Sequence, residues 1–150
     1  SRSAARAAAR LAAVQALYQM DLAATDLNVV IAEFLAHRLG SPDDTGMPEE
    51  TDVEFFAELL KGVVAHQREI DPMIDQQLAE GWRLKRVDSI LRATLRAGVF
   101  ELLALPGIPA RVAISQYVDV ANAFFDGDEP RVVNGVLDKL ARRLRPGELG

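Results

Sequence analysis

The 150-residue chain contains no cysteine, which excludes disulfides, thiolate zinc sites and cysteine nucleophiles at once. Histidine is nearly as scarce, with only His37 and His66. Each has a glutamate within one helical turn, Glu33 and Glu69, so both read as surface pairs rather than metal ligands. Paired carboxylates occur at Asp43-Asp44 and Glu49-Glu50, but the segment that carries them, SPDDTGMPEE, is broken by proline and glycine and does not fix acid/base geometry. No glycine-rich phosphate loop is present. These absences predict a protein that is not an enzyme and takes no cofactor or metal. Long apolar runs are missing too. The longest stretch free of charge, Leu11 to Met20, is half of the roughly 20 residues a bilayer span needs. The Ala/Arg-rich start lacks both a continuous apolar core and a cleavage signal. The chain is therefore expected to be cytoplasmic, with no membrane partner.

Net charge is −5, which by itself argues against a nucleic-acid partner. The charges are segregated, however: residues 1–20 sum to +3, residues 21–80 to −11 and residues 81–150 to +3. Screening limits the reach of distant charge to about 8–10 Å, so a locally basic surface binds phosphate even on an acidic protein. Arg2, Arg6 and Arg10 recur every fourth residue and drift only about 40° per step around a helix. They are expected to point the same way, either as a solvated face or as a phosphate-tracking stripe.

Hydrophobic spacing predicts an all-α fold of about seven helices, a single unit over residues 1–150 with no strand. A first helix runs from Ser3 to about Leu22 with Leu11, Val14, Tyr18 and Leu22 inward. Asp26 caps a second through Val30, Phe34 and Leu39, stopped by Gly40. Thr51 and Glu54 form a capping box for a third, with Phe56, Leu59, Leu60 and Val63 buried. Asp71-Pro72 opens a short fourth that ends at Gly81. From Val87 to about Ala104 the helix is apolar on most sides, which predicts a central place. Glu101 and Arg96 on it suggest a buried or half-buried ion pair, and Trp82 just before it suggests a core anchor.

After the break LPGIP come two amphipathic helices joined by the acidic turn DGDEP, the second ended by Arg145-Pro146-Gly147. Their apolar positions are Ile114, Tyr117, Val118, Ala121 and Phe125, then Val133, Val136, Leu137, Leu140 and Leu144. Within the second lies Asn134-Gly135, a pair that ordinarily makes a hairpin turn. Glycine costs about 1 kcal/mol in a helix interior, so the expectation is that another helix passes close to Gly135.

IPARVAI followed by a helix, an acidic turn and VNGVLD resembles the NusB family of bacterial transcription antitermination factors. The opening ARAAARLAAVQALYQMD, and Trp82 with Leu84, Leu95-Arg96 and Glu101-Leu102, are similar to the family's first helix and middle pattern. The resemblance implies two small three-helix bundles packed across each other. It further implies binding of boxA-type single-stranded RNA together with NusE, a small-subunit ribosomal protein, and action on the transcription elongation complex. An alternative of similar fold is the N-terminal RNA-binding domain of an RNA cytosine methyltransferase, which needs a strand-rich cofactor domain downstream. A purely protein-binding helical adaptor is a third reading.

Under that resemblance the RNA-binding residues are Arg2, Arg6, Arg10, Gln15, Tyr18, Asp128, Arg131 and Val132. From the residues alone, Tyr18 is a core tyrosine with its hydroxyl at the rim or a platform for an unpaired base, and Asp128 is an N-cap. Val132 departs from the aromatic common at its position, and Ala7 and Ala8 stand where relatives carry more arginine. The NusE contact is expected between Asp75 and Arg96, with Asp75, Arg83, Arg86 and Leu91 as candidates; Leu91 replaces an acid common in relatives, and Ser115-Gln116 the usual Asn-Glu. The pattern also allows a homodimer through the basic first helix.

Overall fold

The computed structural model describes residues 1–37, 51–78 and 87–150. Among them six α-helices and no strands are found: α1 Arg2–Ala23, α2 Leu27–His37, α3 Val53–Gln77, α4 Ser89–Ala104, α5 Ala110–Phe124 and α6 Glu129–Leu144. Helices α1, α2 and α3 pack on one another, as do α4, α5 and α6, and the two groups meet where α1 and α3 lie against α4. This is the expected pair of three-helix bundles, with the apolar helix α4 central: Leu91, Leu95, Ala97, Val99 and Leu102 are all buried. The expectations for Leu39, for the loop from Gly40 to Glu50, for Gly81 and for Trp82 fall outside the described residues.

Among the described residues the count is six because the expected third and fourth helices are one. Pro72 lies inside α3 rather than at a start. A proline inside a helix costs about 3 kcal/mol through the lost amide donor and its clash with the preceding turn. The ring stands on the exposed side while Ile70 and Ile74 are fully buried on the other. Burying two such side chains contributes roughly 3–6 kcal/mol, enough to keep the helix continuous. Its cap is also one residue later than expected. Asp52, not Thr51, accepts from the Phe55 amide at 3.0 Å. The cap at Asp26 is as expected, receiving the Asn28 amide at 3.0 Å, and Val30 and Phe34 are fully buried beneath it.

Helix α1 buries a different face from the one its large residues suggest. Ala9, Ala12, Ala13 and Ala16 are inaccessible, together with Val14, while Leu11 and Tyr18 are half-buried and Leu22 is 64% exposed. α1 is covered by neighbours on several sides, and alanine lets their backbones approach. Leu11, Tyr18 and Leu22 are left toward the more open side, while Val14 and Leu17 are buried with the alanines.

The glycine that matters for packing is also elsewhere. A methyl group on Gly135 would meet nothing within 4 Å among the described residues, so none of the six helices crosses there. On Gly62 of α3 it would lie 2.0 Å from the Phe100 ring of α4, and on Gly98 of α4 it would lie 2.8 Å from Leu137 of α6. Gly62→Ala is accordingly expected to cost about 1–3 kcal/mol by overpacking. Thermal unfolding measures this, and Phe100→Leu in the same chain should recover part of the loss; an unchanged midpoint in the single variant would show that Phe100 moves aside freely.

Candidate nucleic-acid interface

The arginines of α1 do not form one solvent-facing stripe. Two helical steps from Arg2 to Arg10 rotate the side chain by roughly 80°, and at Arg10 that rotation ends in the seam between the bundles. Arg10 is 3% exposed, with its Nε 2.7 Å from Oε2 and its Nη2 2.9 Å from Oε1 of Glu101, itself inaccessible on α4. The Tyr117 hydroxyl of α5 donates to the same carboxylate, and Arg10 also reaches Gln116 at 3.3 Å. Burial by itself would lower the Arg10 pKa, but the Glu101 carboxylate more than reverses this and holds it above its ordinary value. Burial, then the adjacent Glu101 charge, pushes the Tyr117 hydroxyl well up. Arg10 is therefore a structural cation joining α1, α4 and α5, not an open phosphate contact. Glu101 is paired with Arg10 rather than with Arg96, which instead holds Asp71 at 2.8 and 2.9 Å and Asp21 at 3.5 Å.

Arg2 and Arg6 remain at the surface. They flank a cleft of about 340 Å³ with Phe55, Glu58 and the loop Leu105–Ile108. The Arg6 guanidinium lies 4.7 Å from the centre of the Phe55 ring and its Nε is 3.5 Å from Asp52. Asp52, Glu54 and Glu58 at the start of α3 share this neighbourhood, so the two cations sit among carboxylates that temper their field.

Gln15 and Tyr18 belong to a second hollow. Together with Val14, Gln19, Leu22 and Ala23 of α1, Ile90 of α4 and Phe124 of α5, they line a groove of about 420 Å³. The Gln15 side-chain oxygen is buried without a hydrogen-bond partner among the described residues. Tyr18 is half-buried, as is Phe124, so the groove has an aromatic ring from each of two helices. Sequence reasoning missed Phe124. The signal is a second ring beside Phe125 at the foot of the acidic turn, where the spacing assigns only Phe125 to the buried face. Along α1, Arg6 and Tyr18 are about 18 Å apart and rotated by roughly 120°, so the cleft and the groove are separate.

At the turn, Asp128 occupies the N-cap position of α6, yet its side chain makes no capping bond. It lies 3.9 Å from Arg131, with both side chains largely exposed. Val132 is half-buried and packs on the core. Of the partner candidates, Leu91 is fully buried and offers no surface. Asp75 is half-buried near the end of α3, and Arg83 and Arg86 lie outside the described residues. Two groups the sequence did not single out hold this end of the second bundle. The Arg145 guanidinium donates to the carbonyls of Glu101, Leu102, Leu105 and Ile108 at 2.8–3.0 Å. Glu148, paired with Arg145, accepts the Ala110 amide at the start of α5. That amide bond, and then Arg145, lower the Glu148 pKa.

No group of three or more His, Asp or Glu that could hold a metal is found among the described residues, nor a helix long and apolar enough to cross a membrane. A NusB family model matches residues 7–142. The chain belongs to the NusB family. It is 52% identical over 147 residues to transcription antitermination protein NusB of Bradyrhizobium diazoefficiens, spanning 97% of this chain and 88% of that protein. Its identity to the NusB of Bartonella henselae is 49%, over 93% of this chain and 89% of that one. Among solved structures, T. maritima NusB superposes with a TM-score of 0.78 at 28% identity, covering 95% of this chain and 94% of the other. A chain in the crystal structure of antitermination factors NusB and NusE in complex with dsRNA gives 0.72 at 26% identity, covering 91% and 96%. The NusB fold is thus shared along nearly the whole chain.

Proposed function

We propose that this protein is a non-catalytic antitermination factor that binds boxA-type single-stranded RNA jointly with NusE and so acts on the elongating polymerase. The observation that carries the reading is the groove between Tyr18 and Phe124. It offers two aromatic faces and, from Gln15, an amide oxygen with no partner among the described residues. Unpaired bases stack on such faces for about 1–3 kcal/mol each, and an unsatisfied amide supplies an edge for a base to bond. Asp128 and Arg131 stand just beyond Phe124 at the start of α6, where a strand leaving the groove would pass. Likeness to a chain crystallised with NusE and RNA supports the same partners here. The methyltransferase alternative is less well supported, because the relatives that match this chain over most of their own length are antitermination proteins.

With Arg10 withdrawn into the core, the phosphate-facing charge of α1 reduces to Arg2 and Arg6. Arg2→Ala with Arg6→Ala is expected to weaken RNA binding and to reduce the salt slope by about 1.4, at roughly 0.7 per phosphate contact. NusE binding should persist. The half-buried pair with Asp52 and the Phe55 stacking contribute only on the order of 1 kcal/mol, so circular dichroism should show an intact fold. Unchanged affinity and slope would assign Arg2 and Arg6 to a solvated face.

A further inference from the structure

Asn134-Gly135 is left unexplained by everything above. Gly135 sits mid-helix, costs about 1 kcal/mol relative to alanine, and has open space where a side chain would be. No contact among the described residues offsets that cost. What surrounds it is positive. Taking Arg131 as zero, Arg142, Gly135, Lys139 and Arg143 fall at about 20°, 40°, 80° and 120° around α6, over about 18 Å of its length. All four cationic side chains are exposed. Asp138 lies on the same side and pairs with Arg142 at 3.0 Å, in an exposed contact of the kind worth only about 0.3–0.5 kcal/mol. Asp128 stands similarly 3.9 Å from Arg131. Across a groove of about 370 Å³, Arg111 and Ser115 of α5 face Asn134 and Asp138.

We infer that the outer face of α6, from Arg131 to Arg143 with Gly135 at its centre, is a second RNA surface that tracks the phosphate backbone beyond the α5–α6 turn. The absent side chain at Gly135 lets the strand approach the helix backbone between the flanking cations, and Asn134 offers an amide beside it. The occupant is nucleic acid rather than protein because the exposed groups are cationic and long, and because the face begins at Arg131, where the strand is proposed to pass. A backbone-tracking surface reads no sequence. It therefore serves whatever nucleotides flank the specific element. The inference rests on the RNA-binding reading above.

The test uses the full chain with NusE and two RNA probes: a boxA-type single strand, and the same strand lengthened by about ten unstructured nucleotides at either end, a span within the usual reach of one binding surface. Lengthening at one end should tighten binding and steepen the salt slope by roughly 2, so that the gain shrinks about tenfold or more between 50 and 200 mM salt. Lys139→Ala, Arg142→Ala and Arg143→Ala together should abolish that gain while leaving the short strand bound as before. Gly135→Leu should do the same with its helix intact by circular dichroism, since a Cβ there meets nothing within 4 Å among the described residues. No gain from either extension, or a gain that survives both variants, overturns the α6 surface while the RNA-binding reading stands. Failure of the short strand to bind at all overturns both.

Discussion

Replacing Glu101 by alanine is expected to destabilise the fold by about 3–5 kcal/mol, because it strands a buried guanidinium without its counter-ion. Arg10 and Glu101 come from helices 91 positions apart in the chain and are almost wholly shielded from water. Removing the carboxylate also takes the acceptor from the buried Tyr117 hydroxyl. A loss of this size is a large share of the 5–15 kcal/mol available to a typical domain, and a urea titration would show it as a displaced midpoint. Tyr117→Phe, which deletes one hydrogen bond and leaves the ion pair, should cost only about 1 kcal/mol. The same reasoning separates Arg10 from Arg6. Arg10→Ala should lower RNA binding only as far as it lowers the folded fraction, with the salt slope of the folded protein unchanged. Should Arg10→Ala leave stability intact but flatten the slope, Arg10 would be a phosphate contact after all.

Arg145→Ala is expected to be comparably severe, at about 3–5 kcal/mol. One guanidinium satisfies four carbonyls at the end of α4 and in the loop that follows, and it is 8% exposed. The Glu101 and Leu105 carbonyls also accept the Leu105 and Ile108 amides, so the loss falls mainly on the carbonyls of Leu102 and Ile108, and each buried carbonyl left unpaired costs roughly 1–3 kcal/mol, reduced where water enters. Glu148 would lose its cation and hold the Ala110 amide less firmly. Hydrogen exchange should locate the damage at the end of α4 and the start of α5. Arg145→Lys should recover little, since a single ammonium cannot reach all four oxygens. Full stability in Arg145→Lys would show that charge rather than the forked geometry holds this end together.

The fold class was legible because hydrophobic spacing reports on helices directly. The residues Val30, Phe34, Phe56, Leu59, Val63, Val133, Val136 and Leu137 are all buried as the spacing requires. What spacing does not report is what covers a face. On α1 the alanines carry little hydropathy signal, so Leu22 was assigned inward and Ala9, Ala12 and Ala13 were overlooked. The arginine stripe failed for a related reason: its angles were right, but the angle of Arg10 leads to a partner remote in sequence. Pro72 was read by local rule as a helix start, and the burial of Ile70 and Ile74 overrode the rule. Glycine gave the right kind of signal at the wrong place. Gly62 and Gly98 fit close crossings without disturbing any sequence pattern, whereas Gly135 disturbs one and a side chain there would meet nothing among the described residues. Of the candidate site, Gln15 and Tyr18 were visible as neighbours on one helix. Phe124 joined them only in three dimensions.

The central claim is joint RNA binding with NusE, and an RNA titration in the presence and absence of NusE tests it most directly. With only Arg2 and Arg6 left at the surface of α1, and carboxylates beside them, this chain alone should hold a boxA-type strand weakly. A basic ribosomal protein bound to the same strand adds charge and a second contact surface, so affinity should rise by one to several orders of magnitude, as expected for two linked contacts sharing one ligand. Equal affinity with and without NusE, at matched salt and with NusE shown to be bound, would contradict the account.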